Sequence, residues 1–60
     1  MYTALYRITG NTYNNRRTLR RIRATWNADL RAWEVRAGGN GWADTVRELR
    51  RSGCKVARVD

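Results

Sequence analysis

One cysteine and no histidine among 60 residues restrict most narrowly what this chain can fold into. Cys54 has no second cysteine with which to form an intramolecular disulfide, and the chain cannot supply the usual ligands of a structural zinc site. A chain of this length buries only about 60% of the surface that it exposes when unfolded. We therefore expect one small basic domain over residues 1–60, held together by its side-chain core, with no cofactor and no metal.

The core has to come from aromatic and aliphatic side chains. Hydrophobic residues make up 42% of the chain and include three Trp and three Tyr, which is too apolar for a disordered basic tail. The chain has no apolar run near the roughly 18 residues that cross a membrane, and residues 1–10 lack the features of a signal peptide. These observations predict a folded cytoplasmic protein. Association with a membrane surface is not expected either, because the first predicted helix has only Leu19 and Ile22 on its apolar side.

The first half of the chain predicts a strand, a helix and a hairpin. β-Branched and aromatic residues predict a strand over residues 2–9, with Tyr2, Ala4, Tyr6 and Ile8 on one face. A helix is predicted over residues 14–24, with Thr12 or Asn14 as its N-cap and a narrow apolar stripe at Leu19 and Ile22. Residues 25–36 follow as a hairpin that turns at Asn27-Ala28-Asp29.

The second half predicts one more helix and a closing strand. Trp42, Thr45, Val46 and Leu49 form an amphipathic stripe, so we expect a helix over residues 41–52. Asn40 is its expected N-cap, Asp44 falls in its first turn, Arg50 and Arg51 fall in its last turn, and Gly53 follows its end. Residues 54–59 predict the last strand.

This order of elements, β-α-(ββ)-α-β, predicts an α+β fold in which a sheet of three to four strands has two helices packed on one face. Strand 2–9 or strand 54–59 is expected at a sheet edge, where pairing with a second copy would give a homodimer. Trp33 and Trp42 are expected in the core, whereas Trp26 is less strongly assigned to it.

A net charge of +8, from thirteen basic and five acidic residues, points to a polyanionic partner. Twelve of the thirteen basic residues are arginines, whose planar guanidinium binds phosphates in pairs of hydrogen bonds. Codon usage in a GC-rich genome explains arginine in place of lysine, but it does not explain the excess of positive charge. The candidate phosphate contacts lie on the first helix and, as an extension, on the sheet: Arg16, Arg17, Arg20, Arg21 and Arg23, with Arg7, Arg31 and Arg36.

Four further residues are candidates for contacts with bases. Asn14 and Asn15 stand at the start of the predicted helix, where side chains reach base edges if the helix enters a major groove. Tyr13 and Trp26 are candidates for stacking on bases, although a core position remains the alternative for Trp26.

The middle of the chain resembles a known domain. The residues that carry the likeness are Gly10-Asn11-Thr12-Tyr13, Leu19, Ile22, Trp26-Asn27 and Arg31-Ala32-Trp33-Glu34-Val35. They resemble a small Trp-hairpin domain without an assigned function that is found in phage, plasmid and DNA-processing proteins. The HARP domain of annealing helicases has a looser form of this pattern, which implies contact with DNA. The chain departs from the pattern at Arg23, where the family often has glycine, and after Gly38.

Residues that could support catalysis are few and scattered. The chain has no histidine, the commonest general base, and Ser52 has no neighbouring base to activate it. Asp44 and Glu48 alternate with arginines and are interpreted as a solvated helix face. We expect Cys54 to be a small core residue, with activation by Lys55 as the alternative. No catalytic residues are therefore assigned.

Two functions from different classes remain. The first is a non-enzymatic nucleic-acid-binding protein that contacts phosphates without strong sequence specificity, with DNA expected in preference to RNA. The second is a small phage- or plasmid-encoded protein that binds and modulates an acidic host protein.

Overall fold

The structure is a computed structural model that describes residues 3–59, which form four strands and two α-helices in the order β-α-β-β-α-β. The predicted strand residue Tyr2 lies outside the described part. The elements are β1 (Ala4–Gly10), α1 (Arg16–Arg21), β2 (Thr25–Asn27), β3 (Ala32–Ala37), α2 (Trp42–Arg51) and β4 (Cys54–Arg58). A turn of 3-10 helix over Tyr13–Asn15 leads into α1.

The four strands form one antiparallel sheet in the order β2-β3-β1-β4. Ile8 in the middle of β1 lies opposite Trp33 on one side and Val56 on the other. Of the two strands that we expected at an edge, β4 lies there, whereas β1 is an interior strand. The first strand is interior because its backbone pairs with β3 on one edge and with β4 on the other, while the short β2 takes the second edge of the sheet.

Both helices pack on the same face of the sheet, which confirms the predicted α+β architecture. The side chains of Ile8, Leu19 and Leu49 are completely buried where β1, α1 and α2 meet. Val35 and Val56 extend this core along the neighbouring strands. The Ile8 face of β1 is therefore its buried face, as the alternation of side chains predicts.

The first helix is shorter than the predicted range 14–24. It ends at a Schellman motif, in which the N–H of Arg23 donates to the carbonyl of Arg20 over 3.0 Å and the N–H of Ala24 donates to the carbonyl of Leu19 over 2.9 Å. Arg23 has a φ of +62° and occupies the left-handed position where glycine is usual. The prediction continued too far because arginine gives no signal of a helix end.

The expected N-caps are not confirmed as side-chain caps. Thr12 occupies the N-cap position of the 3-10 turn and Asn15 that of α1, but neither side chain makes a capping hydrogen bond, and Asn14 lies inside the 3-10 turn. Gly41, with a φ of +89°, precedes α2 in place of the expected Asn40. The rest of the prediction for α2 is confirmed, because Asp44 lies in its first turn, Arg50 and Arg51 lie in its last turn, and Gly53 follows it.

The opposite face of the sheet is not covered by either α1 or α2. Arg7 on β1 lies beside Glu34 on β3 there, with 3.4 Å between Nη2 and Oε2. The side-chain amide of Asn27 donates to the second oxygen of Glu34 over 3.1 Å. Glu34 thus connects three neighbouring strands on this face. Among residues 3–59, no helix is long and apolar enough to cross a membrane.

Candidate nucleic-acid interface

The outer surface of α1 is formed by exposed arginines. The buried side chain of Leu19 fixes the rotation of the helix against the sheet. Every arginine of the helix is exposed in this orientation, as the sequence predicts: Arg16, Arg17, Arg20 and Arg21. We call this surface, with the neighbouring Asn14 and Thr18, the α1 basic surface.

An open groove of about 590 Å³ crosses the α1 basic surface. Its lining residues are Asn14, Arg16, Arg17, Thr18 and Arg20. Three guanidinium groups on a polar groove provide several N–H donors for anionic oxygens, which is the chemistry that a phosphate requires.

Two arginines of this groove have no partner in the part of the chain that the structure describes. Among residues 3–59, the guanidinium groups of Arg17 and Arg20 make neither an ion pair nor a hydrogen bond. Arg21 lies 3.8 Å from a carboxylate oxygen of Glu48 on α2, but both side chains are exposed, so this pair is weak. The donors of Arg17 and Arg20 are therefore available to a ligand.

Tyr13 and Arg16 form a stacked pair at the start of the surface. The guanidinium carbon of Arg16 lies 4.3 Å from the centre of the Tyr13 ring, and the same side chain donates to the Tyr13 carbonyl over 2.8 Å. Tyr13 nevertheless remains 73% exposed. The stacking on Arg16 holds an exposed aromatic ring beside the groove.

The predicted contacts of Asn14 and Asn15 with bases compete with contacts inside the protein. The Asn14 amide donates to the side-chain oxygen of Asn11 over 3.0 Å, and the Asn15 amide donates to the Asn11 carbonyl over 2.7 Å. Asn11 also donates from its own side chain to the carbonyl of Ser52. These asparagines hold the end of β1, the 3-10 turn and the α2–β4 turn together.

The structure does not bring all the predicted arginines together. Arg7 and Arg36 lie on the uncovered face of the sheet, opposite to the face on which α1 packs, since each alternates with residues of the covered face. Arg7 is also paired with Glu34. The alternation of side chains in the sequence places each residue on one face of its own strand. Only the sheet topology shows that this face is turned away from α1.

Arg23, Trp26 and Arg31 follow α1 at the β2 edge of the sheet. Trp26 is 50% exposed, and its ring makes an edge contact with Trp33, with 5.8 Å between the ring centres. Trp33 and Trp42 are partly buried against the core, as predicted. Arg23 lies between α1 and β2, and Arg31 lies in the turn between β2 and β3.

A second groove, of about 450 Å³, was not predicted from the sequence. Tyr6, Trp42, Val46, Arg47 and Arg50 are among its lining residues, so it combines an aromatic floor with two arginines. The ring centres of Tyr6 and Trp42 are 5.0 Å apart, and the indole N–H of Trp42 is buried without a hydrogen-bond partner. The helical spacing of Trp42, Val46 and Arg50 indicates one wall of this groove. Tyr6 belongs to β1, so its place in the groove is known only from the folded structure.

Cys54 packs as a core residue, which agrees with the first of the two interpretations. Its thiol donates to the Asn11 carbonyl over 3.4 Å. Burial raises the pKa of the thiol, and a hydrogen bond with the Asn15 side chain partly opposes this shift. A raised pKa disfavours the nucleophilic thiolate. Residues 3–59 contain no group of three or more side chains that could hold a metal ion.

Comparison of the chain with protein-family models, with curated proteins and with solved structures finds no match. The likeness to the Trp-hairpin domain therefore stays a prediction from the residues that carry it.

Proposed function

We propose that this protein binds nucleic acid, DNA in preference to RNA, through the phosphates and without strong sequence specificity. The observation that carries the proposal is the guanidinium-lined groove of the α1 basic surface, with the unpartnered Arg17 and Arg20. Phosphate oxygens entering this groove replace water around the guanidinium groups and release counterions from the nucleic acid. The preference for DNA follows from the resemblance of residues 9–36 to domains of DNA-processing proteins.

The same geometry supports weak sequence specificity. Specific readout requires side chains whose donors and acceptors are directed at base edges. The amide groups of Asn14 and Asn15 donate to Asn11, which leaves the arginines as the principal donors on this surface. Guanidinium–phosphate contacts fix position and orientation, whereas sequence plays no direct part in them.

Fluorescence anisotropy of labelled duplex DNA, single-stranded DNA and RNA, titrated at several salt concentrations, tests the proposal. The logarithm of the binding constant is expected to fall with the logarithm of salt by about 0.9 per phosphate neutralised on duplex DNA and about 0.7 on a single strand. Absence of binding to all three nucleic acids at low salt would refute the proposal.

A pair of matched variants separates the contribution of the α1 basic surface to binding from the contribution of the protein's general positive charge. The double variant Arg17→Gln, Arg20→Gln and the double variant Arg47→Gln, Arg51→Gln each remove two positive charges from exposed helix positions. The first variant is expected to reduce the slope of the logarithm of the binding constant against the logarithm of salt by the amount that corresponds to about two phosphate contacts. The second variant is expected to reduce it by clearly less. Equal losses in the two variants would show that overall charge, and not this groove, drives binding.

The second groove favours one alternative function, a complex with an acidic protein. Its Tyr6 and Trp42 rings suit an apolar side chain, while Arg47 and Arg50 suit neighbouring carboxylates. Capture of partners from a nuclease-treated lysate tests this alternative, with Arg47→Glu as the variant that should abolish capture. The Arg17→Gln, Arg20→Gln variant should retain the partner, and loss of capture on nuclease treatment would contradict this alternative.

A further inference from the structure

We infer that the β2 edge of the sheet binds one unpaired nucleotide of a single strand, whose base stacks on Trp26 while Arg23 and Arg31 hold the phosphates on either side. This inference rests on the proposed function, because it assumes that the protein binds nucleic acid.

The exposure of Trp26 is the first observation. A half-exposed indole gains less from burial than Trp33 and Trp42, which pack against the core. The edge contact with Trp33 nevertheless restrains the ring, at an angle of 63° between the two planes. A restrained, accessible indole is the kind of platform on which proteins stack unpaired bases.

The backbone at Arg23 and Arg31 is the second observation. Among the described residues, these two are the only ones other than glycine with a positive φ, at +62° and +51°. The left-handed conformation costs an L-residue free energy that glycine does not lose. The turns need a residue that tolerates this conformation, but they do not need an arginine side chain.

Neither guanidinium group compensates for this strain within the protein. Both residues are exposed, and in the part of the chain from residue 3 to residue 59 neither side chain makes an ion pair or a hydrogen bond. Backbone strain that no local contact offsets is found at functional positions. The two strained arginines are therefore assigned to contacts with a ligand.

The position of the three residues fits a strand of nucleic acid. Arg23 precedes Trp26 by three residues, so their Cα atoms are at most about 10 Å apart. Arg31 stands two residues before Trp33, which lies directly opposite Trp26, so it is about 7 Å farther along the hairpin. Long arginine side chains on both sides of the indole can thus reach the phosphates on both sides of one base.

Only an unpaired base can occupy such a site. In a duplex the base faces are stacked on neighbouring base pairs and cannot contact an indole, whereas the bases of a single strand can be turned outward. Arg23 directly continues the chain from α1, so the same strand can contact the α1 basic surface and the β2 edge. The site therefore predicts a preference for single strands over duplexes of the same length.

Titration of the protein with oligo(dT) and with a duplex of equal length tests the inference. Oligo(dT) should quench tryptophan fluorescence, and Trp26→Leu should remove most of this quenching. The same variant should weaken binding to the single strand by about 5-fold to 160-fold, the range for one stacked base, and leave duplex binding unchanged. Trp26→Phe, which keeps an aromatic face, should give an intermediate affinity even if Trp26→Leu is poorly folded.

Arg23→Gly provides an independent readout, because it affects stability and binding in opposite directions. Glycine relieves the left-handed backbone, but the variant lacks the guanidinium group that is assigned to the phosphate. We expect this variant to melt at a higher temperature and yet to bind oligo(dT) about 3-fold to 10-fold more weakly, while Arg23→Lys keeps most of the affinity. Equal effects of Trp26→Leu on single strands and duplexes, or unchanged affinity in both Trp26→Leu and Arg23→Gly, would overturn the inference and leave the proposed function standing. Failure of the unmodified protein to bind any nucleic acid would remove both.

Discussion

The carbonyl oxygen of Gly53 lies 2.6 Å from the position that a Cβ atom on Gly10 would occupy. The two glycines stand where the end of β1 meets the start of β4, and the N–H of the next residue, Asn11, donates to this same oxygen over 3.2 Å. Because the obstructing atom belongs to the backbone, a side chain at residue 10 would have to separate the two strands.

Gly10→Ala is therefore expected to destabilise the protein by about 2 kcal/mol or more, from the clash together with the positive φ. Urea denaturation followed by circular dichroism measures the change. Gly41→Ala is the matched control, because Gly41 has nearly the same φ but no atom within 4 Å of the position that a Cβ atom would take there. A loss for Gly10→Ala no larger than the loss for Gly41→Ala would contradict the close approach.

Leu49 tests how much of the stability depends on the junction of the helices with the sheet. It is completely buried, and Leu49→Ala should cost about 2–5 kcal/mol. Since proteins retain roughly 0.05–0.15 kcal/mol per residue, a chain of this size has about 3–9 kcal/mol in all, and this loss removes a large part of it. Leu30→Ala, at a site that is 49% exposed, is the control and should cost less than about 1 kcal/mol. Thermal melts of both variants give the comparison, and similar melting temperatures would disprove the assigned core.

Glu34 is expected to stabilise the sheet through its two partners. Glu34→Ala removes the carboxylate that accepts from Asn27 and pairs with Arg7, whose Nε already has no acceptor. The Arg7 side chain is partly exposed, so solvent screening limits the loss to about 1 kcal/mol. Asp44→Ala, which breaks the exposed pair with Arg47, should change the unfolding free energy by less than about 0.5 kcal/mol. A larger effect at Asp44 than at Glu34 would reverse this assignment.

The buried thiol of Cys54 makes the stability depend on pH in the alkaline range. Its pKa is raised in the folded protein by burial, so the folded state holds the proton more tightly than the unfolded state. The contribution is fully present below the ordinary thiol pKa of about 8.5 and is lost as the pH rises through the folded value. The unfolding free energy of the unmodified protein should therefore fall more steeply above about pH 8.5 than that of Cys54→Ala. Parallel curves for the two proteins, or rapid reaction of Cys54 with a thiol reagent at pH 8, would contradict the buried thiol.

The strands and the helix α2 were predictable because their side-chain patterns are local. Alternation along β1 identifies its buried face, and the stripe from Trp42 to Leu49 identifies α2. The end of α1 was not predicted because Arg23 adopts a left-handed backbone conformation, which is unusual for arginine and typical of glycine. The separation of Arg7 from the α1 basic surface, and the groove between Tyr6 and Trp42, depend on which face each strand presents after the sheet has formed.

The interior position of β1 also determines when the protein can fold during its synthesis. β1 is made before its hydrogen-bonding partners β3 and β4, and β4 is the last of these four strands to be made. Until Cys54–Arg58 has left the ribosome, one side of β1 has no strand to pair with, and Ile8 lacks its neighbour Val56. Pairing between distant parts of a chain slows folding and leaves apolar strands exposed in the meantime. The growing chain therefore carries an unpaired, partly apolar strand until β4 has been made, and the four-stranded sheet is completed only then.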